Sequence, residues 1–432
     1  MSDTKAPEPE TITNAQAAVT PAADLGATET FIVGAPPSAE EAIRAFTFHA
    51  TDEQLADLKR RIAATRWPER ELVNDATQGV QLATIQKLAD YWLNHHNWRE
   101  CEARINSYPN FVTSIDGLDI HFIHVKSKHE KALPLIVTHG WPGSVVEQLK
   151  IIEPLTNPTA FGGRPEDAFD VVIPSMPGYG FSAKPEATGW GPERIAKAWD
   201  VLMTRLGYDH YVAQGGDWGA IITDFMGVNA PAGLKGVATS MAGAIPVDVN
   251  NAAFTGAPAP EGLDPEERAA FDHVAFFYKF GLGYANEMGN RPQTLYAIQD
   301  SPVGLAAWII DHDIWTYKMI ARVFDGVTEG LTRDDILDNI TLYWLTGTGV
   351  SSARLYWENK NPFLTPKGVK IPAVVSVFPE DIPGPISRRW AEQAYPNLSF
   401  YRKHSKGAHF AAWEQPQLLV KDLREGFRSL RR

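Results

Sequence analysis

The sequence predicts an α/β protein: a mostly parallel central sheet covered by helices, a helical lid inserted into it, and a helical extension at the N-terminus. Two observations carry this. Apolar runs of strand length alternate with amphipathic helical stretches between about residues 133 and 239, and the strand pattern returns near residue 370. Strands joined through helices pair in parallel and need cover on both faces. Between these regions, residues 246–362 are aromatic-rich and helical in period, with no good strand, as an insertion would be.

Taken in order, residues 1–40 are rich in Ala, Pro, Thr and Glu and lack a sustained period, which predicts a flexible leader. An N-terminal helical domain follows over 41–110. Thr51 and Gln54 form a capping box ahead of Leu55, Leu58 and Ile62, a helix expected to run to Trp67-Pro68. A second helix carries Leu82, Ile85, Leu88, Ala89, Trp92 and Leu93 at helical spacing, and a third opens near Asn97. The first part of the sheet domain, 111–245, begins with a hairpin, 111–115 and 118–125, turning on Asp116-Gly117. Strands are then expected at 133–138, 169–174, 210–213 and 234–239, with an amphipathic helix from Pro192 through Ile195, Trp199, Leu202, Met203 and Leu206. In the lid, Asp264-Pro265-Glu266-Glu267 and Asp300-Ser301-Pro302 each start a helix. The second part of the sheet domain, 363–432, supplies strands at 370–378 and 398–402 and a last helix burying Leu418, Leu419, Leu423 and Phe427.

Composition removes several classes of function. A formal charge of −12 disfavours nucleic acid or an anionic membrane surface as partner. The lone Cys101 excludes an intramolecular disulfide. No apolar run reaches the about 18 residues of a membrane span, and the first residues lack the cationic start and apolar core of a secretory signal. A soluble, cytoplasmic protein without a membrane anchor is the expectation. His121 and His124 fall on opposite faces of one strand and make no metal pair; no metal site, phosphate loop or cofactor motif is evident.

The chemistry centres on Gln214-Gly215-Gly216-Asp217-Trp218-Gly219-Ala220. Small residues two positions either side of Asp217, between an apolar run and a helical one, make the sharp strand-to-helix turn known as the nucleophile elbow of α/β-hydrolases. Its tip is aspartate rather than serine. Taken alone, Asp217 would also suit a helix N-cap. Its expected partners follow in chain order: an acid at Glu380 or Asp381, in a loop after one strand, and His409, in a loop after another. Upstream, His139-Gly140-Trp141-Pro142-Gly143 follows a strand and precedes a helix, so the backbone N–H groups of Trp141 and Trp218 would form an oxyanion hole. An ionised aspartate attacks an sp³ carbon and becomes an ester; a histidine base then directs water at the ester carbonyl. The leaving group is a halide, which wants N–H donors, or an epoxide oxygen, which wants a proton from a neutral acid such as a phenol. The lid holds Tyr278, Tyr284, Tyr296, Tyr317, Tyr343 and Tyr356, and composition does not choose among them.

From about residue 45 onward the chain resembles the microsomal-type epoxide hydrolases, α/β-hydrolases with a helical N-terminal domain. The stretches that carry the resemblance are His139-Gly140-Trp141-Pro142-Gly143-Ser144, Pro177-Gly178-Tyr179-Gly180-Phe181-Ser182, Gly215-Gly216-Asp217-Trp218-Gly219, the run 300–308 and Gly407-Ala408-His409-Phe410-Ala411-Ala412. The resemblance implies oxygen-polarising roles for Tyr284 and Tyr356 and makes Asp381 the acid. Met288 departs from a glutamine frequent in the family, and the apolar first helix of membrane-anchored members is missing. The implied activity is cofactor-free opening of a lipophilic epoxide by Asp217, with His409, oriented by Asp381, activating water. The partners expected are a small lipophilic epoxide and water; a homodimer is left open. The rival readings are a haloalkane dehalogenase using the same aspartate and histidine, and a catalytically silent hydrolase-like binding protein.

Overall fold

The computed structural model describes residues 41–327 and 330–431; the expected leader over 1–40 lies outside them. A two-residue strand β1 (Arg44–Ala45), not anticipated from sequence, precedes three helices: α1 (Asp52–Ala63), α2 (Leu82–Asn94) and α3 (Trp98–Asn106). Thr51 and Gln54 close the predicted capping box on α1. The helix stops at Ala63, short of the expected Trp67-Pro68, because the Ile62 carbonyl is taken by both the backbone N–H and the hydroxyl of Thr65 (3.2 and 2.8 Å). Ile62 is also its last buried residue, while Trp67 is exposed, so another turn would bury nothing.

The sheet domain follows as β2 (Asn110–Ile115), β3 (Leu118–Val125), β4 (Leu133–Thr138), α4 (Val145–Thr156), β5 (Phe169–Pro174), α5 (Pro192–Arg205), β6 (Tyr211–Gly215), α6 (Trp218–Asn229) and β7 (Leu234–Thr239). Asp116 and Gly117, both at positive φ (52° and 76°), make the two-residue hairpin turn between β2 and β3. Among the described residues, eight helices cross the lid: α7 (Val247–Thr255), α8 (Pro265–Phe280), α9 (Gly283–Asn290), α10 (Tyr296–Asp300), α11 (Pro302–Ile310), α12 (Ile314–Phe324), α13 (Arg333–Thr346) and α14 (Gly349–Glu358). The chain then returns to the sheet through β8 (Ala373–Val377), α15 (Arg388–Ala394), β9 (Leu398–Lys403), α16 (Ala411–Glu414) and α17 (Pro416–Gly426). Leu419 and Leu423 are buried on α17; Leu418 is only half-buried and Phe427 lies just past its end.

Strand order is β1-β2-β3-β5-β4-β6-β7-β8-β9, antiparallel up to the β3–β5 pair and parallel from there on. The crossover from β4 leads to β5 on one side, and the crossover from β5 returns past β4 to β6 on the other. Open parallel sheets place their sites at such a reversal, beyond the carboxyl ends of the strands. The ends of β4 and β6 carry the His139 turn and Asp217. Among the described residues, no helix is long and apolar enough to cross a membrane.

Candidate active site

The elbow between β6 and α6 is built on close approach. A Cβ on Gly215 would overlap the Gly219 carbonyl, and one on Gly219 would overlap the Thr138 carbonyl of β4. With both gone, the chain turns hard enough to hold Asp217 at φ 51°, ψ −127°, a conformation non-glycine residues rarely adopt. Asp217 stands at the N-cap position of α6 but makes no side-chain cap bond. Its carboxylate points instead to the β4 turn, where Oδ1 accepts the Trp141 N–H at 2.7 Å. Gly140 makes this possible, since a Cβ there would overlap the Asp217 side chain. Trp218 opens α6, so its N–H is one of the amides a helix leaves without an internal acceptor.

His409 lies on the other side of the carboxylate. Its Nε2 is 3.2 Å from Asp217 Oδ2, close but not aligned as a hydrogen bond. Its Nδ1 is 2.6 Å from Asp381 Oδ1, which also accepts the Ile382 N–H at 2.8 Å. Glu380 is exposed and does not reach the imidazole. Burial opposes charge on His409, but Asp381 and Asp217 outweigh it and hold its pKa well above the ordinary value. Burial likewise opposes ionisation of Asp217, yet His409 and the Trp141 amide bring its pKa below that of a free aspartate. These directions favour an imidazolium between Asp217 and Asp381, with burial raising the pKa of Asp381 itself.

Tyr284 and Tyr356 come from α9 and α14 and approach from the lid side. Their rings are 5.9 Å apart, Tyr284 stacks on Trp141 at 5.0 Å, and Tyr356 meets Trp218 edge-on at 4.7 Å. The Tyr356 hydroxyl is buried without a hydrogen-bond partner. Burial, helped by the Asp217 charge, pushes both phenols well above their ordinary pKa, so both are neutral donors at neutral pH. With Trp218, Phe254, Phe277 and Phe363 they line a cavity of about 370 Å³. A larger cleft of about 640 Å³, past Trp190 and Arg291, contains none of these groups. Of the other lid tyrosines, Tyr278 bonds Asn250 at the same cavity, Tyr343 bonds the Gly143 carbonyl and Tyr317 bonds the Gln81 N–H, while Tyr296 is exposed.

Four further groups come to the site without a sequence signal. His312 packs its ring 4.7 Å from that of His409, with Nδ1 on Asp313 at 2.9 Å. Its ligating atom and those of Asp217 and His409 lie within 4.8 Å of one another, so a carboxylate and two imidazoles converge where the sequence suggested no metal cluster. Glu414 accepts the N–H groups of Ala408 and Phe410, both at 2.9 Å, and so clamps the loop on either side of His409. Glu147, on α4, is buried beside the elbow. Glu147 and His312 reach the site through contacts between distant segments, whereas Glu414 and Asp313 bond within a few residues of themselves.

Comparison with known proteins agrees with this architecture. The family described as "Epoxide hydrolase N terminus" matches residues 43–148, and that described as "alpha/beta hydrolase fold" matches 134–300. Epoxide hydrolase 1 of Sus scrofa is 35% identical over 411 residues, covering 91% of this chain and 90% of its own. A Stigmatella aurantiaca protein, provisionally named an epoxide hydrolase, is 48% identical over 90% of this chain and 86% of its own. Among solved structures, the Aspergillus niger epoxide hydrolase is 32% identical with a TM-score of 0.75, over 91% of this chain and 98% of that one.

Proposed function

The chain belongs to the microsomal-type epoxide hydrolase family of the α/β-hydrolase fold, and we propose that it opens lipophilic epoxides to vicinal diols through an ester formed on Asp217. The observation that carries this reading is the arrangement around one carboxylate: Asp217 held by the Trp141 N–H and His409, with two neutral phenols at the aromatic cavity on the lid side. An epoxide in that cavity presents a carbon to Asp217 and its oxygen to Tyr284 and Tyr356. Ring opening forms the Asp217 ester while a phenol gives its proton to the departing oxygen.

Esterification removes one of the two negative charges that sustain the His409 imidazolium. Its pKa falls, its proton restores the phenol, and a neutral base results. His409 then takes a proton from water as the hydroxide oxygen attacks Asp217 Cγ, and the N–H groups of Trp141 and Trp218 hold the oxyanion. Collapse breaks the acyl–oxygen bond, and the second water proton passes from the new carboxyl to the alkoxide. The diol leaves behind the starting carboxylate and imidazolium. The aromatic cavity lining supports a lipophilic substrate.

Intact-protein mass spectrometry of His409→Gln, mixed separately with a styrene-type epoxide and a short haloalkane, tests the reading. A gain equal to the whole epoxide, abolished by adding Asp217→Ala, is expected. A gain equal to the alkyl group, from the haloalkane alone, would point to dehalogenation instead. No adduct from either would remove the covalent mechanism.

A further inference from the structure

A small cavity lies against the elbow, separate from the aromatic pocket, with Asp217 and His409 in its wall. Its free volume of about 10 Å³ matches one water molecule. Four of its buried polar atoms have no hydrogen-bond partner: Glu147 Oε2, Gln148 Oε1, Gln214 Oε1 and His409 Nε2. Buried polar atoms are seldom left unpaired, and four around one cavity of this size mark a water site.

We infer that this cavity seats the water that hydrolyses the Asp217 ester, and that Glu147, with Gln148 and Gln214, positions it. The inference rests on the covalent reading above and adds residues to its second step. With His409 protonated, one water matches all four atoms: it accepts from His409 Nε2–H and the Glu147 carboxyl and donates to the Gln148 and Gln214 carbonyls. Once His409 is neutral, the water turns and keeps only one of the two glutamines. It gives one hydrogen to neutral His409 Nε2 and the other to a glutamine carbonyl. It accepts a hydrogen bond from the Glu147 carboxyl, and its remaining lone pair faces Asp217 Cγ.

Three further observations support the assignment. A Cβ on Gly143 would overlap the Glu147 carboxyl, so the second glycine of the His-Gly-Trp-Pro-Gly turn leaves room for this side chain. Burial, together with the Asp217 charge, raises the Glu147 pKa to about 8, which keeps its carboxyl protonated and able to donate at neutral pH. Gln148 Nε2 donates to Glu147 Oε1 at 2.6 Å, leaving Oε2 as the free end. Glu147 thus acts as a positioning residue in a cavity that shares no lining residue with the aromatic pocket.

The test is single-turnover rapid quench on the full chain with a styrene-type epoxide, following ester formation and ester loss by mass. Glu147→Leu should leave ester formation within about 2-fold of the parent and slow ester hydrolysis on the order of 10²-fold, the scale of a misplaced reactant. In the steady state the ester then accumulates, and kcat and KM fall together. Gln214→Leu, which alters the same cavity from β6, should slow the same step, and Glu147→Gln, which keeps shape and one donor, should recover most of the rate. If Glu147→Leu does not fold, Gln214→Leu carries the test. Equal slowing of both steps in either leucine variant, or unchanged hydrolysis in Gln214→Leu, overturns the inference. Failure of His409→Gln to trap any ester would instead remove the covalent reading, so the two failures are distinguishable.

Discussion

His409 is a buried imidazole whose protonated form is favoured by two carboxyl groups, Asp381 at 2.6 Å and Asp217 at 3.2 Å. Removing either charge disfavours the protonated form, so the pKa must fall. Asp217→Asn mimics the loss of charge that the proposed esterification would bring, without adding substrate bulk. We predict that it lowers the His409 pKa, measured by NMR titration of the imidazole, while Glu380→Gln leaves it in place. An unmoved His409 in Asp217→Asn would mean that the first half-reaction does not prepare the base. At this scale, what the sequence revealed was steric. Glycines at 215 and 219 announce a side chain forced into the open, whatever the distant contacts are. The choice between Glu380 and Asp381 was not legible from adjacent residues in one loop, because it depends on which of them turns inward. Glu147 and His312 were illegible for a related reason: helix α4 and the turn between α11 and α12 approach the elbow through tertiary packing, which no local pattern encodes.

At the scale of elements, the N-terminal helices are tied to the lid by buried polar contacts. Trp92 Nε1 on α2 donates to Thr341 Oγ1 on α13 at 2.9 Å, and both residues are buried. Nearby, Asp338 of α13 receives His96 at 2.8 Å and Arg104 at 2.9 Å. Thr341→Val keeps the shape but strands a buried indole N–H, which costs about 1–3 kcal/mol. Thr341→Ser keeps the hydroxyl and should lose less. Chemical denaturation of the two variants checks this, and equal losses would show that packing rather than the hydrogen bond matters at this joint. Helix starts were legible because capping boxes and N1 prolines are local chemistry, as at Thr51 and Asp264. The end of α1 was not, because Thr65 closes it before the proline does. The strand β1 was missed because two residues show no period; its pairing with β2 exists only in the folded sheet.

Across the whole molecule, one contiguous apolar cluster joins all three regions: Leu88 and Trp92 from the N-terminal helices, Trp199 and Met226 from the sheet domain, and Phe271 and Ile320 from the lid. The alternation of strands and helices made the sheet legible. The strand order was not, since it depends on which way each crossover runs. Nor did the chain announce that the N-terminal helices and the lid share a core, a fact with a consequence for unfolding. Regions that bury a common core lose their cover together, so they should melt cooperatively rather than one by one. The 13 tryptophans report on every layer: Trp92 and Trp98 near the N-terminus, Trp199 and Trp390 in the sheet domain, Trp308 and Trp344 in the lid. We predict that tryptophan fluorescence, far-UV circular dichroism and epoxide hydrolysis are lost at one common denaturant midpoint. An early fluorescence change with activity intact would instead mean that the N-terminal helices detach first. Activity lost before either spectroscopic change would mean that the lid opens by itself and that α2 does not hold it.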